Sequence, residues 1–211
     1  MAYRETAKIR DKKALTQERV IQAALSLVAK GGFAAVQMSQ VAKRANIATG
    51  TLYRYFESKE ALSCTIFERA TRIEVAQVEK VLQADTTPIQ ALEQALRVFA
   101  TRALRAPTLA WALIAEPVDA AVDRKRLEYR QQYANLFATT LERAMSEQAI
   151  SRQRAMLTST AIVGAIAEAL IGPLAHKAEA PLVPATQAQV IDDIIHFCLH
   201  GISVRSPHDQ A

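Results

Sequence analysis

The 211-residue sequence predicts an all-α protein, and three observations support that fold class. Apolar residues recur at spacings of three and four along almost the whole chain, which is the period of an amphipathic helix. No segment alternates cleanly between apolar and polar residues, and no Asn-Gly or Asp-Gly hairpin turn occurs. Half of the residues are apolar and 22% are charged, which is typical of a globular protein with a core.

Local start and stop signals divide this pattern into about nine helices. Thr16 is a good N-cap, and Leu15 and Val20 are placed to form a hydrophobic staple around it. Gly31-Gly32 ends the helix that follows. The predicted helices cover residues 17–30, 38–45, 48–55, 59–82, 88–105, 107–117, 120–148, 152–170 and 186–204.

These helices are predicted to form two domains. Residues 1–58 hold an N-terminal arm and a three-helix domain, and residues 59–211 form a larger helical domain. The first 60 residues carry 11 Lys and Arg against 5 Asp and Glu, whereas the remainder carries 15 against 16. This asymmetry indicates a polyanionic partner for the first domain, although a basic arm kept for solubility gives the same count.

The segment with the clearest functional signal is residues 38–56, MSQVAKRANIATGTLYRYF. It holds two very short helices, which can bury apolar residues such as Val41, Ala42 and Leu52 only by packing on each other and on the first helix. Asn46 suits the turn between them because Asn tolerates the left-handed backbone conformation. The arrangement is typical of a helix-turn-helix, whose second helix enters the major groove of DNA. An ordinary corner between two helices is the alternative.

Residues 17–65 resemble the N-terminal domain of the tetracycline-repressor (TetR) family. The matching run is VIQAALSLVAKGGFAAVQMSQVAKRANIATGTLYRYFESKEAL, and its most specific parts are GTLYRYF at 50–56 and SKEAL at 58–62. Three positions depart from the family pattern: Gln37 replaces a Thr, Asn46 a turn Gly, and Ala48 a frequent Ser cap. Loss of the two caps is expected to weaken the starts of both short helices by about 1 kcal/mol each.

The resemblance implies a set of DNA-contacting residues. They are Ser39, Thr49, Gly50, Thr51, Tyr53, Arg54, Tyr55 and Lys59. Gly50 would allow close approach to the groove, while Thr51 and Tyr53 offer hydroxyls to phosphates. Lys59 matches the family's phosphate-contacting Lys at a helix N-terminus. Tyr53 could instead belong to the core, and Arg54 could be a solvated helix charge. The arm residues either follow the duplex or make no contact; they are Arg4, Lys8, Arg10, Lys12 and Lys13.

For the larger domain the resemblance implies a homodimer, formed by the last two long helices, that binds a palindromic operator in double-stranded DNA. It also implies a pocket for a small-molecule effector in the middle helices. The candidate lining residues are Phe99, Arg102, Trp111, Ile114, Glu116, Tyr129, Tyr133 and Phe137. Aromatic rings with a few polar groups suit an apolar ligand, although residues of these types, taken singly, more often belong to the core than contact a ligand.

The last two long helices carry polar residues that need an explanation. Glu168 lies within an apolar run, and we expect it at the dimer seam because a buried carboxylate without a partner is costly. Asp192, His196 and His200 share one helix face at intervals of four residues. Such spacing could hold a metal ion, but exposed polar residues give the same pattern, and we predict no metal.

The sequence favours a ligand-responsive repressor over two alternatives, an interaction bundle that does not bind DNA and a metal-dependent enzyme. It contains no HExxH, GxSxG, GxGxxG or phosphate-binding GxxxxGK[ST] motif, and we predict neither an enzyme nor a cofactor. The two isolated cysteines, Cys64 and Cys198, fit a reducing cytoplasm. The most apolar stretch, 161–175, is expected to be too short to span a membrane.

Overall fold

The structure is a computed structural model that describes residues 7–175 and 183–203, and every element in these ranges is helical. The helices are α1 (Ala7–Gly31), α2 (Met38–Arg44), α3 (Thr49–Leu52), α4 (Lys59–Leu82), α5 (Pro88–Arg105), α6 (Pro107–Ile114), α7 (Ala120–Ser146), α8 (Ala155–Ala175) and α9 (Pro184–Ser203). A 3₁₀ turn, Phe33–Ala35, follows α1. The predicted fold class and the number of helices are confirmed over the described residues.

Helix α1 begins ten residues earlier than predicted, so the assignment of Thr16 as an N-cap was wrong. Thr16 lies inside the helix, where its hydroxyl donates to the Lys12 carbonyl at 2.9 Å. Leu15 is 69% exposed and forms no staple with the buried Val20. A Thr side chain can hydrogen-bond one turn back in a helix as readily as it can cap one, so residue type alone does not fix the boundary.

The start of each of three later helices depends on a side-chain cap. Ser58 accepts a hydrogen bond from the Ala61 N–H at 3.1 Å at the start of α4. Thr87 accepts from the Gln90 N–H at 3.3 Å before α5, and Pro88 occupies the first turn of that helix. Asp119 accepts from two backbone N–H groups at the start of α7. Each cap satisfies donors that have no partner within the helix.

Two expectations about helix α8 are corrected by the structure. The helix does not break at Gly172-Pro173, and it is not too short to span a membrane. It has 21 residues because Pro173 falls in its last turn, where it removes only one hydrogen bond within the helix. By length and composition alone α8 could cross a membrane, the one such helix among the described residues. Ile162, Ile166 and Leu170 are buried, so a place in the core also explains why α8 is so apolar.

The buried apolar residues form two clusters. The first joins α1, α2 and α3 to the start of α4 through residues such as Val28, Val41 and Leu52, and it also takes in Ala112 of α6 and Val122 of α7. The second cluster is built by α4 to α9, with α7 packed along α8. Helix α4 contributes to both clusters, so the division at residue 58 stays a prediction.

The α2–α3 turn depends on Asn46, whose φ of 54° is confirmed as left-handed. We expect Asn46→Ala to lower the free energy of unfolding by about 1 kcal/mol, because Ala tolerates this conformation less well than Asn. Asn46→Gly should equal or exceed the wild type. Urea denaturation followed by circular dichroism measures both variants, with the exposed helical Gln40→Ala as control. Equal stability of Asn46→Ala and Gln40→Ala would show that the turn is not strained.

Candidate nucleic-acid interface and ligand cavity

Helix α3 is a single turn that is held from one side only. Leu52 is fully buried against the first cluster, and hydrogen bonds from the Tyr55 and Phe56 N–H groups to the Leu52 carbonyl continue the turn at 2.9 and 3.1 Å. Thr49 and Gly50 are exposed on the opposite side. The regular helix starts at Thr49 and ends at Leu52, inside the predicted span of 48–55. The packing therefore leaves one face of a short helix open to solvent.

The structure places all eight predicted DNA-contacting residues at or near this surface. Ser39, Tyr53 and Arg54 are exposed, whereas Thr51 and Lys59 are partly buried. Tyr53 is 49% exposed, so the alternative that it belongs to the core is wrong. Tyr55 is partly buried and packs against the first cluster, which gives it a structural role as well. DNA contact by these residues stays a prediction.

Nothing in the described part of the molecule explains why position 50 is a glycine. A Cβ added at this position would meet no atom within 4 Å, and its φ is not positive. A glycine inside a helix costs about 0.5–1 kcal/mol relative to Ala. Neither packing nor backbone conformation therefore requires a residue without a side chain here, whereas close approach of an external surface would.

Basic side chains surround α3. Lys43 and Arg44 at the end of α2 and Arg54 after α3 are exposed, and none of them forms an ion pair within the described ranges. Three of the predicted arm residues, Arg10, Lys12 and Lys13, are exposed on the N-terminal part of α1. Arg4 lies outside the described residues, as does the side chain of Lys8. Unpaired surface cations of this kind are free to bind phosphates.

A second candidate site is a cavity of about 100 Å³ enclosed by α4, α5, α6, α7 and α8. Six of the eight predicted residues line it: Phe99, Arg102, Ile114, Tyr129, Tyr133 and Phe137. The Phe99 and Tyr133 rings meet edge to face, with centroids 5.5 Å apart. The prediction thus found the right helices, and ligand binding by these residues stays a prediction.

Two predicted lining residues lie elsewhere, which corrects that part of the prediction. Trp111 is partly buried against the second cluster and is not among the residues that line the cavity. Glu116 lies beyond the end of α6, which stops at Ile114, and its side chain points to the other domain. The sequence places both residues near the middle helices but does not show which side of α6 each one occupies.

The polar groups of the cavity include four that the sequence analysis missed: Thr71, Glu74, Arg126 and Arg130. Glu74 and Arg102 form a two-pronged ion pair, with Nε–Oε2 and Nη2–Oε1 distances of 2.5 and 2.8 Å. This hydrogen bonding with Glu74 raises the pKa of Arg102 above its usual value. Burial raises the pKa of Tyr133, so its phenol stays neutral. Spacings of three and four from Phe67 along α4 are the signal that could have found Thr71 and Glu74.

Arg126 connects the cavity wall with the end of α6. Its side chain is only 13% exposed, and it donates to the carbonyls of Leu113 at 3.0 Å and Glu116 at 2.8 Å. It also pairs with Asp123 at 2.5 Å and lies 5.8 Å from the centre of the Phe67 ring. These contacts fix the backbone after α6 in one position.

The carboxylate of Glu116 then joins this backbone to the N-terminal domain, a contact we call the Glu116 bridge. Oε2 accepts a hydrogen bond from the Phe33 N–H at 2.8 Å, and Oε1 accepts from the Ala34 N–H at 3.0 Å. Gly32 precedes them with a φ of 68°, and a Cβ there would lie 2.4 Å from Oε2. Helix α1 also packs against α6. The backbone that follows α6, one of the helices lining the cavity, is therefore linked to the N-terminal domain by charge-assisted hydrogen bonds.

The outer faces of α8 and α9 are partly apolar and exposed. Leu157 is 64% exposed on α8, and Phe197 is 70% exposed on α9. Along α8 the exposed positions Ala161, Gly164 and Glu168 follow at spacings of three and four, so they share a face. Glu168 is exposed and needs no buried partner within the chain.

The candidate metal ligands on α9 do not converge. Asp192 pairs with Arg97 at 2.7 Å, and the His196 and His200 rings stack with centroids 3.8 Å apart. Across the described ranges, no three His, Cys, Asp or Glu side chains are arranged to hold a metal ion. The geometry of these residues therefore does not support the alternative of a metal-dependent enzyme.

The open face of α3 and the enclosed cavity define the class of protein, a helix-turn-helix protein with a helical ligand-cavity domain. Residues 20–63 match the family model described as bacterial regulatory proteins, tetR family. This domain of the chain is therefore similar to that of the tetR family of bacterial regulatory proteins.

Curated relatives match in the same region. The chain is 42% identical over 76 residues to the HTH-type transcriptional repressor KstR of Mycolicibacterium smegmatis, which is 36% of this chain and 37% of that protein. It is 30% identical over 69 residues to the fatty acid metabolism regulator protein of Bacillus subtilis, which is 33% of this chain and 36% of that protein. The matched region thus spans little more than a third of each relative.

Solved structures match over almost the whole chain. The transcriptional regulator FadR from Bacillus subtilis, in complex with stearoyl-CoA, has a TM-score of 0.72 at 20% identity and covers 88% of this chain and 98% of its own. RolR in complex with resorcinol has a TM-score of 0.66 at 21% identity, with coverages of 92% and 91%. At these identities the likeness shows that the fold is shared.

The Glu116 bridge gives a prediction about stability. We expect Gly32→Ala to lower the free energy of unfolding by about 2–4 kcal/mol, because Ala is strained at this φ and its Cβ would displace the carboxylate from two N–H groups. Gly50→Ala is the matched control, since that position is open, and it should be neutral or stabilising. Thermal unfolding of both variants provides the measurement. Equal stability of the two variants would contradict the geometry of the bridge.

Proposed function

We propose that the protein is a sequence-specific DNA-binding transcriptional regulator, a repressor that a small molecule releases from its operator. The observation that carries the proposal is the open face of α3, where Gly50 is unexplained by packing and basic side chains stand unpaired. A helix exposed in this way can enter the major groove, which is about 12 Å wide. The relatives that match this domain include transcriptional repressors, which supports the same function.

The eight residues divide into two roles in this proposal. Thr49, Gly50 and Tyr55 lie where the helix would face base edges, and Ser39 on α2 lies beside them. Thr51, Tyr53, Arg54 and Lys59 would bind the phosphates and fix the register of α3 in the groove. The Lys59 ammonium stands at the N-terminus of α4, where exposed N–H groups also favour an anion.

A single α3 reads too few base pairs to define a site, so the repressor is proposed to act as a homodimer on a palindromic operator. The exposed apolar residues of α8 and α9 support pairing of these helices with those of a second copy. The small residues Ala161 and Gly164 would allow close contact between α8 helices. Such a four-helix interface would set the two α3 helices about one DNA turn, ~34 Å, apart.

The effector is proposed to be an apolar molecule that binds the cavity in the second domain. Typical ligand sites measure about 300–1,000 Å³, so a cavity of about 100 Å³ must widen to admit most effectors. Helix α6 has eight residues and is the shortest wall, so its displacement is the easiest way to widen the cavity. FadR with stearoyl-CoA and RolR with resorcinol share the fold, and both of those ligands have an apolar part.

The Glu116 bridge would transmit this displacement. A displacement of α6 would shift the backbone after it against the Arg126 hydrogen bonds that hold it, and the carboxylate would then pull on the Phe33 and Ala34 N–H groups. The orientation of α1, α2 and α3 would change relative to the dimer interface. Two α3 helices that no longer match the half-site spacing would then lose the operator.

DNA binding is tested by Gly50→Ala. We expect the variant to be as stable as the wild type or more stable, while its affinity for the operator falls at least about tenfold, a loss of ~1.4 kcal/mol, because the new methyl group blocks close approach. Fluorescence anisotropy with duplexes selected from the promoter of its own gene measures affinity across a range of salt concentrations. Gly201→Ala, in the last turn of α9 and equally open, is the matched control.

Two outcomes of this experiment would contradict the proposal. One is a wild-type protein that shows no salt-sensitive, sequence-selective binding to any selected duplex. The other is Gly50→Ala binding the operator as tightly as the wild type. An interaction bundle that does not bind DNA would give the first result.

The dimer is tested by Phe197→Asp. We expect the wild type to sediment at twice the 23.2 kDa chain mass and the variant as a monomer, because a carboxylate would be buried at the interface. Leu15→Asp on α1 is the control, since Leu15 is similarly exposed and α1 packs on α2, α4 and α6 rather than on α8 or α9. The control should remain a dimer. A monomeric wild type, or dissociation by both variants, would overturn the assigned interface.

A further inference from the structure

One buried hydroxyl on the cavity wall has no hydrogen-bond partner among the described residues. Thr71 of α4 is only 7% exposed and lines the cavity, yet its Oγ1 makes no hydrogen bond. Threonines in helices of this chain usually bond to the carbonyl one turn back, as Thr65 does to Ala61 at 3.0 Å on the same helix. Thr140 does the same to Leu136 at 3.2 Å. An orphaned hydroxyl in a cavity wall is therefore a group available to a ligand.

A second hydroxyl lines the same cavity. Tyr133 is 7% exposed, and its ring is fixed by edge-to-face contact with Phe99. No hydrogen bond from its Oη is seen in the described part of the chain. Burial raises the pKa of this phenol, so it remains a donor at neutral pH. The cavity thus offers two hydroxyls, each of which can donate and accept.

The charged groups of the cavity are already engaged. Glu74 and Arg102 neutralise each other through two hydrogen bonds, and Arg126 is occupied by Asp123 and three backbone carbonyls. The exception is Arg130, which lines the cavity without an ion pair among the described residues, but it is an exposed residue and so stands where the cavity meets solvent. A carboxylate deep in this cavity would have no free cation to pair with, and burial of an unpaired charge is costly.

From these observations we propose that the effector carries a neutral hydroxyl or carbonyl group on an apolar body, and that Thr71 and Tyr133 bind this group. The proposal deepens the proposed function, since it assigns the chemical class of the effector to the same cavity. The cavity is somewhat smaller than the ~150 Å³ cavity that admits benzene, so a single-ring molecule is the starting size.

The test uses three ligands with one apolar body, a single benzene ring: phenol, toluene and benzoate. Their substituents are a hydroxyl, a methyl and a carboxylate, so affinity differences report on that group alone. Isothermal titration calorimetry with the full chain should show the phenol binding about tenfold tighter than the other two, the size of effect that one or two added hydrogen bonds provide.

Two variants assign the effect to residues. Thr71→Val replaces the hydroxyl by a methyl group of the same shape and should reduce the preference of the phenol over the toluene several-fold, and Tyr133→Phe should do likewise. Thr71→Val removes an unsatisfied buried group, so its melting temperature without ligand should equal or exceed that of the wild type. Thr65→Val on the same helix is the control and should leave all three affinities unchanged.

The proposal is overturned if the phenol and the toluene bind equally well, if the benzoate binds most tightly, or if Thr71→Val keeps the full preference. Failure of the phenol to bind at millimolar concentration would also overturn it. Operator binding is measured separately. If the wild type binds no selected duplex but keeps its preference for the phenol, the regulator function is refuted and the proposed ligand class stands.

Discussion

Helix α4 is shared by two hydrophobic clusters, and the arrangement of the molecule depends on this sharing. Its first turns bury Leu62 and Ile66 with α1, α2 and α3, and its later turns bury Val75 and Val78 with the cavity domain. A helix of 24 residues cannot bend between these clusters without breaking hydrogen bonds, so both domains must follow its direction. Phe67 stands at the junction, because it belongs to the first cluster and also lines the cavity.

The Glu116 bridge supplies a second connection between the same two bodies. One connection alone would allow the N-terminal domain to rotate about α4, whereas two connections fix its orientation. The second connection combines apolar packing of α1 on α6 with a polar part, the hydrogen bonds of one carboxylate to two N–H groups. Hydrogen bonds of this kind have a narrow range of length and angle, so a shift of about 1 Å in α6 is enough to weaken them. In the proposed mechanism, this is how a change in the cavity would reach the orientation of α3.

The sequence predicted the elements whose signals are local. Helical periodicity gave the nine helices, and the segment around Asn46 and Leu52 gave the helix-turn-helix with its open face. The start of α1 was misplaced because Thr16 has two ways to use its hydroxyl, within a helix or at its end. The Gly172-Pro173 break was misplaced because a proline in a last turn is tolerated.

The contacts that sequence reasoning missed are long-range or depend on side-chain direction. Glu116 meets Phe33 across 83 residues, and no periodicity encodes that distance. Its polarity suggested a group within a pocket, but the same polarity serves a junction between domains. Thr71 was missed because a threonine in a helix usually satisfies its hydroxyl by a hydrogen bond to the carbonyl one turn back. Only the absence of its usual partner distinguishes it, and that absence is a property of the folded molecule.

Three residues that lower the stability of the fold stand at the surfaces proposed for function. Gly50 lowers helix stability without filling any need of packing, Gly32 holds a left-handed conformation beside the bridge, and Thr71 keeps a buried hydroxyl without a partner. At positions 50 and 71 another residue would make the protein at least as stable. At Gly32 the loop could take a less strained course. These local costs lie at the proposed DNA face, the link between domains and the cavity. A protein that binds DNA on one side and a ligand on the other, as proposed, would use a small residue, a strained loop and a free hydroxyl at these places.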